Sequence, residues 1–67
     1  MQDIMKQEVR YLKEPEVKEI TGISLQKLRN DRSAKVGIPY IKKGRFVRYL
    51  LSDVVEFMES GRINTER

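Results

Sequence analysis

The sequence predicts a mainly α fold with one β-hairpin: three short helices plus a two-stranded extension in a single small domain. Two stretches with apolar residues at helical spacing flank Gly22-Ile23-Ser24, and a third follows Ser52-Asp53. Between the second and third, two β-rich runs flank Lys42-Lys43-Gly44-Arg45. The domain is read over residues 10–61, with tails at 1–9 and 62–67.

Tyr11 and Leu12 are an apolar pair ahead of Glu14-Pro15-Glu16. Proline suits the first turn of a helix, where its missing N–H has no intrahelical partner, and acids suit the positive end of the helix dipole. Val17 and Ile20 supply the inward stripe, and Gly22 provides the positive φ that stops the helix. The first helix is expected over about 15–21.

Ser24 is a strong N-cap for the second helix, expected over about 25–32. Leu25 and Leu28 point one way, which leaves Gln26, Lys27, Arg29, Asn30 and Arg32 for the opposite face. Helix, three-residue turn containing Gly, helix is the helix-turn-helix arrangement, in which the second helix enters the DNA major groove. An ordinary αα-corner whose second helix is basic fits the same residues.

Ser33 to Gly37 is a polar link, and Pro39 pushes Ile38 toward an extended conformation. Tyr40-Ile41 and 46–50 are the strand candidates. Two registers are open: a Lys43-Gly44 turn that pairs Tyr40 with Val47, or a three-residue loop ending at Gly44. Under either, Val47 and Tyr49 share the inward face, and Phe46 and Arg48 point out. Phe46 then either stacks on a sugar or covers the hairpin.

Ser52 is the N-cap candidate for the third helix, expected over about 53–60, with Gly61 as its stop. Val54, Val55, Phe57 and Met58 form its apolar face, opposite Asp53, Glu56 and Glu59. The expected core is Leu12, Val17, Ile20, Ile23, Leu28, Ile41, Val47, Tyr49, Val54, Phe57 and Met58.

Charge is distributed unevenly. The 26 residues from Ser24 to Tyr49 hold eight bases and one acid, net +7. The other 41 hold six bases and nine acids, net −3, which gives the chain its +4. Such a one-sided positive field commonly meets a nucleic-acid backbone. An anionic membrane surface, an acidic protein or plain solvent are the other readings.

Other classes are restricted by what the chain lacks. There is no Cys and no His, hence no disulfide, no common zinc ligand set, no imidazole acid–base group and no thiol nucleophile. A domain this size buries only about 60% of its unfolded surface and has little room for a walled pocket. An enzyme is not expected, nor is a cofactor or a metal. No apolar run reaches the length of a signal core or a membrane span, so a cytoplasmic protein without a membrane partner is expected.

The stretches YLKEPEVKEITGISLQKLRN and VGIPYIKKGRFVRYLLSDVVEFME resemble the small bacterial and phage MerR-like winged helix-turn-helix family, which includes excisionases and AlpA-type prophage regulators. The resemblance rests on an ordered set of features. These are Tyr11-Leu12, Gly22-Ile23-Ser24, Leu28-Arg29, Pro39, Gly44-Arg45, Val47-Arg48-Tyr49 and Ser52-Asp53. Lys13 stands where that family usually has a Ser or Thr cap, and Phe46 where many relatives carry a second wing arginine. The long dimerising helix and effector domain of full-length MerR regulators have no counterpart in these 67 residues, so no small-molecule effector is expected.

The resemblance implies that Ser24, Gln26, Lys27, Arg29, Asn30 and Arg32 contact DNA from the second helix. It implies that Lys42, Lys43, Gly44, Arg45 and Arg48 do so from the hairpin, acting as a wing. Gln26, Lys27 and Asn30 are the base-edge candidates, because amides pair with adenine and Lys donates to guanine. Arg29, Arg32, Lys42, Lys43, Arg45 and Arg48 are the phosphate or groove candidates, with Arg45 suited to a narrow minor groove. Gly44 is required by turn geometry with or without DNA.

The function expected is therefore a sequence-specific double-stranded DNA-binding protein, a prophage or mobile-element transcriptional regulator. An excisionase with the same binding mode, partnered with an integrase, is the alternative. A protein-interaction module such as an antirepressor is the alternative from another class. Self-association or cooperative binding on DNA is expected, since one short reading helix specifies few base pairs.

Overall fold

The computed structural model describes residues 9–65. The expected N-terminal tail lies outside the described residues except for Val9, as do the last two residues of the C-terminal one. In chain order the elements are β1 (Tyr11–Leu12), α1 (Glu14–Thr21), α2 (Leu25–Ala34), β2 (Ile41–Lys43), β3 (Phe46–Leu50) and α3 (Leu51–Glu59). Three helices pack with a small antiparallel sheet of order β1-β3-β2. This is a small winged helix-turn-helix.

Local chemistry explains the helix ends. The Glu16 carboxylate accepts from the Lys13 backbone N–H at 2.8 Å, so the chain caps α1 from inside the helix without the usual Ser or Thr. Gly22 closes α1 at φ 80, and its N–H donates to the Lys18 carbonyl at 2.7 Å. The Ser24 hydroxyl accepts from the Lys27 N–H at 3.1 Å and opens α2. That helix runs two residues past its expected end and stops at Lys35, which takes the left-handed conformation at φ 60.

Three features add to or depart from the expectation. First, Tyr11-Leu12 is a strand, with Tyr11 opposite Leu50 and Leu12 opposite Tyr49. Second, α3 begins at Leu51 with Leu50 in the cap position, so Ser52 is inside the helix. The Leu51 N–H donates to the Arg10 carbonyl at 2.9 Å, which continues the β1 ladder and satisfies a donor that a side-chain cap would otherwise serve. Third, the hairpin takes neither open register. Lys42 faces Val47 and Lys43 faces Phe46, which leaves Gly44-Arg45 as the turn. Gly44 at φ 60 stands first in the turn, the place where a type II′ hairpin needs glycine.

The core comprises Leu12, Val17, Leu28, Ile38, Tyr49 and Val54, with Ile23, Leu25, Tyr40, Val47 and Leu51 packed against it. Four expected members are not in it: Ile20 is 50% exposed, Ile41 37%, Phe57 36% and Met58 42%. Each helix places a single residue fully inside (Val17, Leu28 and Val54), as much as so small a domain can enclose. Ile38, expected only as an extended link residue, fills the remaining space at 4% exposure. No described helix is long and apolar enough to cross a membrane.

Candidate nucleic-acid interface

The buried Leu28 and half-buried Leu25 fix the rotation of α2, and that rotation turns Gln26, Lys27 and Asn30 outward. The Gln26 amide donates to the Asn30 side-chain carbonyl at 3.0 Å. One turn apart on the helix, the two amides form a continuous polar edge that offers both donors and acceptors. Lys27 pairs with Asp31 at 3.0 Å. An exposed i,i+4 pair of this kind is worth about 0.3–0.5 kcal/mol and yields readily to another anion.

The arginines of α2 behave differently. Arg29 donates through Nε to both oxygens of Glu14 at 3.3 Å and through Nη2 to Oε1 at 3.0 Å. Arg32 turns toward the core: its Nη1 is 2.6 Å from Glu14 Oε2 and 2.9 Å from the Tyr49 hydroxyl. Its guanidinium also lies 5.9 Å from the centre of the Tyr40 ring. These partners give Arg32 a structural role that its position among the sequence-derived contact residues does not anticipate.

Glu14 thus receives two guanidinium groups. The hydrogen bond from Arg29 holds its carboxyl below the usual carboxylate range; partial burial works against this, and Arg32 adds to it. The hydrogen bond to Glu14 also raises the Arg29 value. Burial opposes the charge of Arg32, but Glu14 and Tyr49 outweigh it and raise its value as well.

The hairpin register decides which wing cations face α2. Paired residues on antiparallel strands point to the same side, so Lys42 shares the inward side with Val47, while Lys43 goes with Phe46 to the other. Arg29, Ser33, Lys35, Tyr40 and Lys42 accordingly line one cleft between α2 and the hairpin. Arg29 also lines a second, with Lys13, Glu14, Arg45 and Arg48. Arg45 is exposed in the turn. Arg48 is half-buried, donates to the Val47 carbonyl at 2.9 Å and lies 5.4 Å from the Phe46 ring centre. Phe46 therefore serves as a platform for Arg48 while staying 62% exposed.

Of the predicted residues, Arg29, Arg32, Lys42, Arg45 and Arg48 are brought together around these clefts, Arg32 with its guanidinium engaged by Glu14 and Tyr49. Gln26, Lys27 and Asn30 form the adjoining exposed face, and Ser24 spends its hydroxyl on the cap. Lys43 stands on the far side of the wing, and Gly44 shapes the turn. Sequence reasoning missed Glu14, Lys13, Ser33, Lys35 and Tyr40 as cleft residues. Lys35 carried a signal as part of the +7 segment; Glu14 carried none, because it lies 15 positions from Arg29. An apolar groove lined by Val9, Leu50, Leu51 and Val55 shares no residue with either cleft.

A helix, a tight turn, a second helix with an exposed polar face and a cationic hairpin beside it define a DNA-binding class of domain. The family model described as "Helix-turn-helix domain" matches residues 11–62, and the chain belongs to that family. Membership points to double-stranded DNA as the partner. No curated protein and no solved structure matches the chain.

Proposed function

We propose that this protein is a sequence-specific double-stranded DNA-binding protein, a transcriptional regulator of the small MerR-like, AlpA-type kind carried by prophages and mobile elements. It places α2 in the major groove and the hairpin on the adjacent minor groove and backbone, and it acts by occupying a site rather than by chemistry. The observation that carries this reading is the clefts where Arg29 of α2 meets Lys42, Arg45 and Arg48 of the hairpin. Gln26 and Asn30 are the base-edge readers, and Arg29, Lys42 and Arg45 the backbone contacts.

An excisionase would use the same surface, with an integrase as neighbour. Selection of bound fragments from a random duplex pool at two salt concentrations tests both readings. Enrichment of a defined motif supports sequence-specific binding, and motif copies at a promoter or at an attachment site separate regulator from excisionase. Uniform recovery at low salt with no motif would defeat the sequence-specific reading. Absence of any recovery, together with stoichiometric capture of an acidic protein, would favour the interaction module.

A further inference from the structure

The ordered chain of contacts from Tyr49 through Arg32 and Glu14 to Arg29 runs from the core to the cleft. Arg29 spends its Nε–H and one Nη2–H on Glu14. Its Nη1 has no partner among the described residues, so the far end of the fork, Nη1 with the second Nη2–H, remains available. Arginine recognises a phosphate through two parallel N–H donors on one edge of the guanidinium. With one edge locked to a carboxylate that is itself held by Arg32, the free edge is preorganised.

We propose that Glu14 is a positioning residue that fixes Arg29 so that its free edge grips one backbone phosphate of a DNA strand running between α2 and the hairpin. Lys42, on the wall of the same cleft, supplies the second charge. This rests on the DNA-binding reading and adds to it a role for an acid where nearby cations set the sign of the field.

The proposal makes a prediction opposite in sign to simple charge counting. Glu14 repels phosphate, so neutralising it should tighten binding if only net charge matters. If Glu14 positions Arg29, Glu14→Gln weakens binding. The test uses the selected duplex and a set of the same duplex with single neutral methylphosphonates, measured by fluorescence anisotropy. Circular dichroism identifies the temperature range in which each variant is folded.

Arg29→Lys, which keeps the charge and loses the fork, is expected to weaken binding about tenfold. One methylphosphonate position should cost the unaltered protein a similar factor and cost Arg29→Lys little. In Glu14→Gln the same position should also lose its effect, although Arg29 is intact. Tighter binding by Glu14→Gln, or an unchanged methylphosphonate profile in either variant, would overturn the proposal. If Glu14→Gln does not fold, Glu14→Asp, which keeps the charge and shortens the reach to Arg29, carries the test, and an unchanged methylphosphonate profile in that variant overturns the proposal. An unaltered protein that binds no duplex would instead overturn the DNA-binding reading.

Discussion

Arg32 Nη1 lies 2.6 Å from Glu14 Oε2 and ties α2 to the first turn of α1 across 18 positions of sequence. Both side chains are largely enclosed, at 21% and 17% exposure, so solvent screens this pair less than a surface one. The contact fixes the relative placement of the two helices of the helix-turn-helix at the end away from the Gly22 turn.

Loss of either partner should therefore destabilise the fold. Arg32→Ala is expected to lower unfolding free energy by about 2 kcal/mol at neutral pH, within the range for hydrogen bonds to charged groups. Urea titration of the two proteins measures it. No loss would mean that the pair contributes nothing net.

The same carboxylate predicts an acid dependence. Because Glu14 sits below its ordinary value in the folded state, its contribution is complete above the unfolded carboxylate range, near pH 4.5. It is lost as pH falls through the folded value. Stability curves for the unaltered protein and for Glu14→Gln should converge as pH drops below about 4. Curves that stay parallel would remove Glu14 from the acid transition.

Core substitutions should separate by depth rather than by residue size. Leu28→Ala is expected to cost about 2–5 kcal/mol. Phe57→Ala should cost under about 1.5 kcal/mol, because Phe57 stays 36% exposed and leaves no closed cavity. Thermal midpoints read both, and equal losses would contradict the observed core.

The elements with local chemical signals are legible in the sequence. Pro15, Gly22 and Ser24 mark the boundaries of α1 and α2, and Val47 with Tyr49 marks the inner face of β3. What is not legible depends on neighbours far along the chain. Periodicity orients Phe57 and Met58 but does not reveal that the core ends before it reaches them. Ile38, in an irregular link before Pro39, has no periodic partner to announce its burial. The hairpin register turned on whether Gly44 stands first or last in the turn. In the site, the charge asymmetry locates the cationic segment. Which of its cations bond inward is set by Glu14 and Tyr49, and local spacing carries no trace of either contact.

Gly44 offers a test of the turn separate from DNA. A Cβ at this position meets no atom within 4 Å, so the whole effect of Gly44→Ala comes from backbone conformation at φ 60. A loss of about 1 kcal/mol is expected on denaturant titration. An unchanged midpoint would argue against a left-handed residue at the wing tip.

On the proposed assignment, base-edge and backbone contacts should respond differently. Asn30→Ala or Gln26→Ala is expected to relax preference at one or two base pairs, by about 1–3 kcal/mol against the wrong base. Arg45→Ala should weaken binding evenly across sequences. Competition assays against single-base variants of the selected site distinguish the two patterns. Identical patterns for all three would mean that the reading face is assigned wrongly.

The most direct measurement is the salt dependence of duplex binding by the unaltered protein, Arg29→Ala and Arg45→Ala, which removes one cation from the helix or one from the hairpin. If about five cations neutralise phosphates together, log K falls against log salt with a slope of about −4 to −5. Each substitution should flatten that slope by about 1. A slope near zero, or flattening by the change in one element but not the other, would contradict a single duplex-binding surface shared by α2 and the wing.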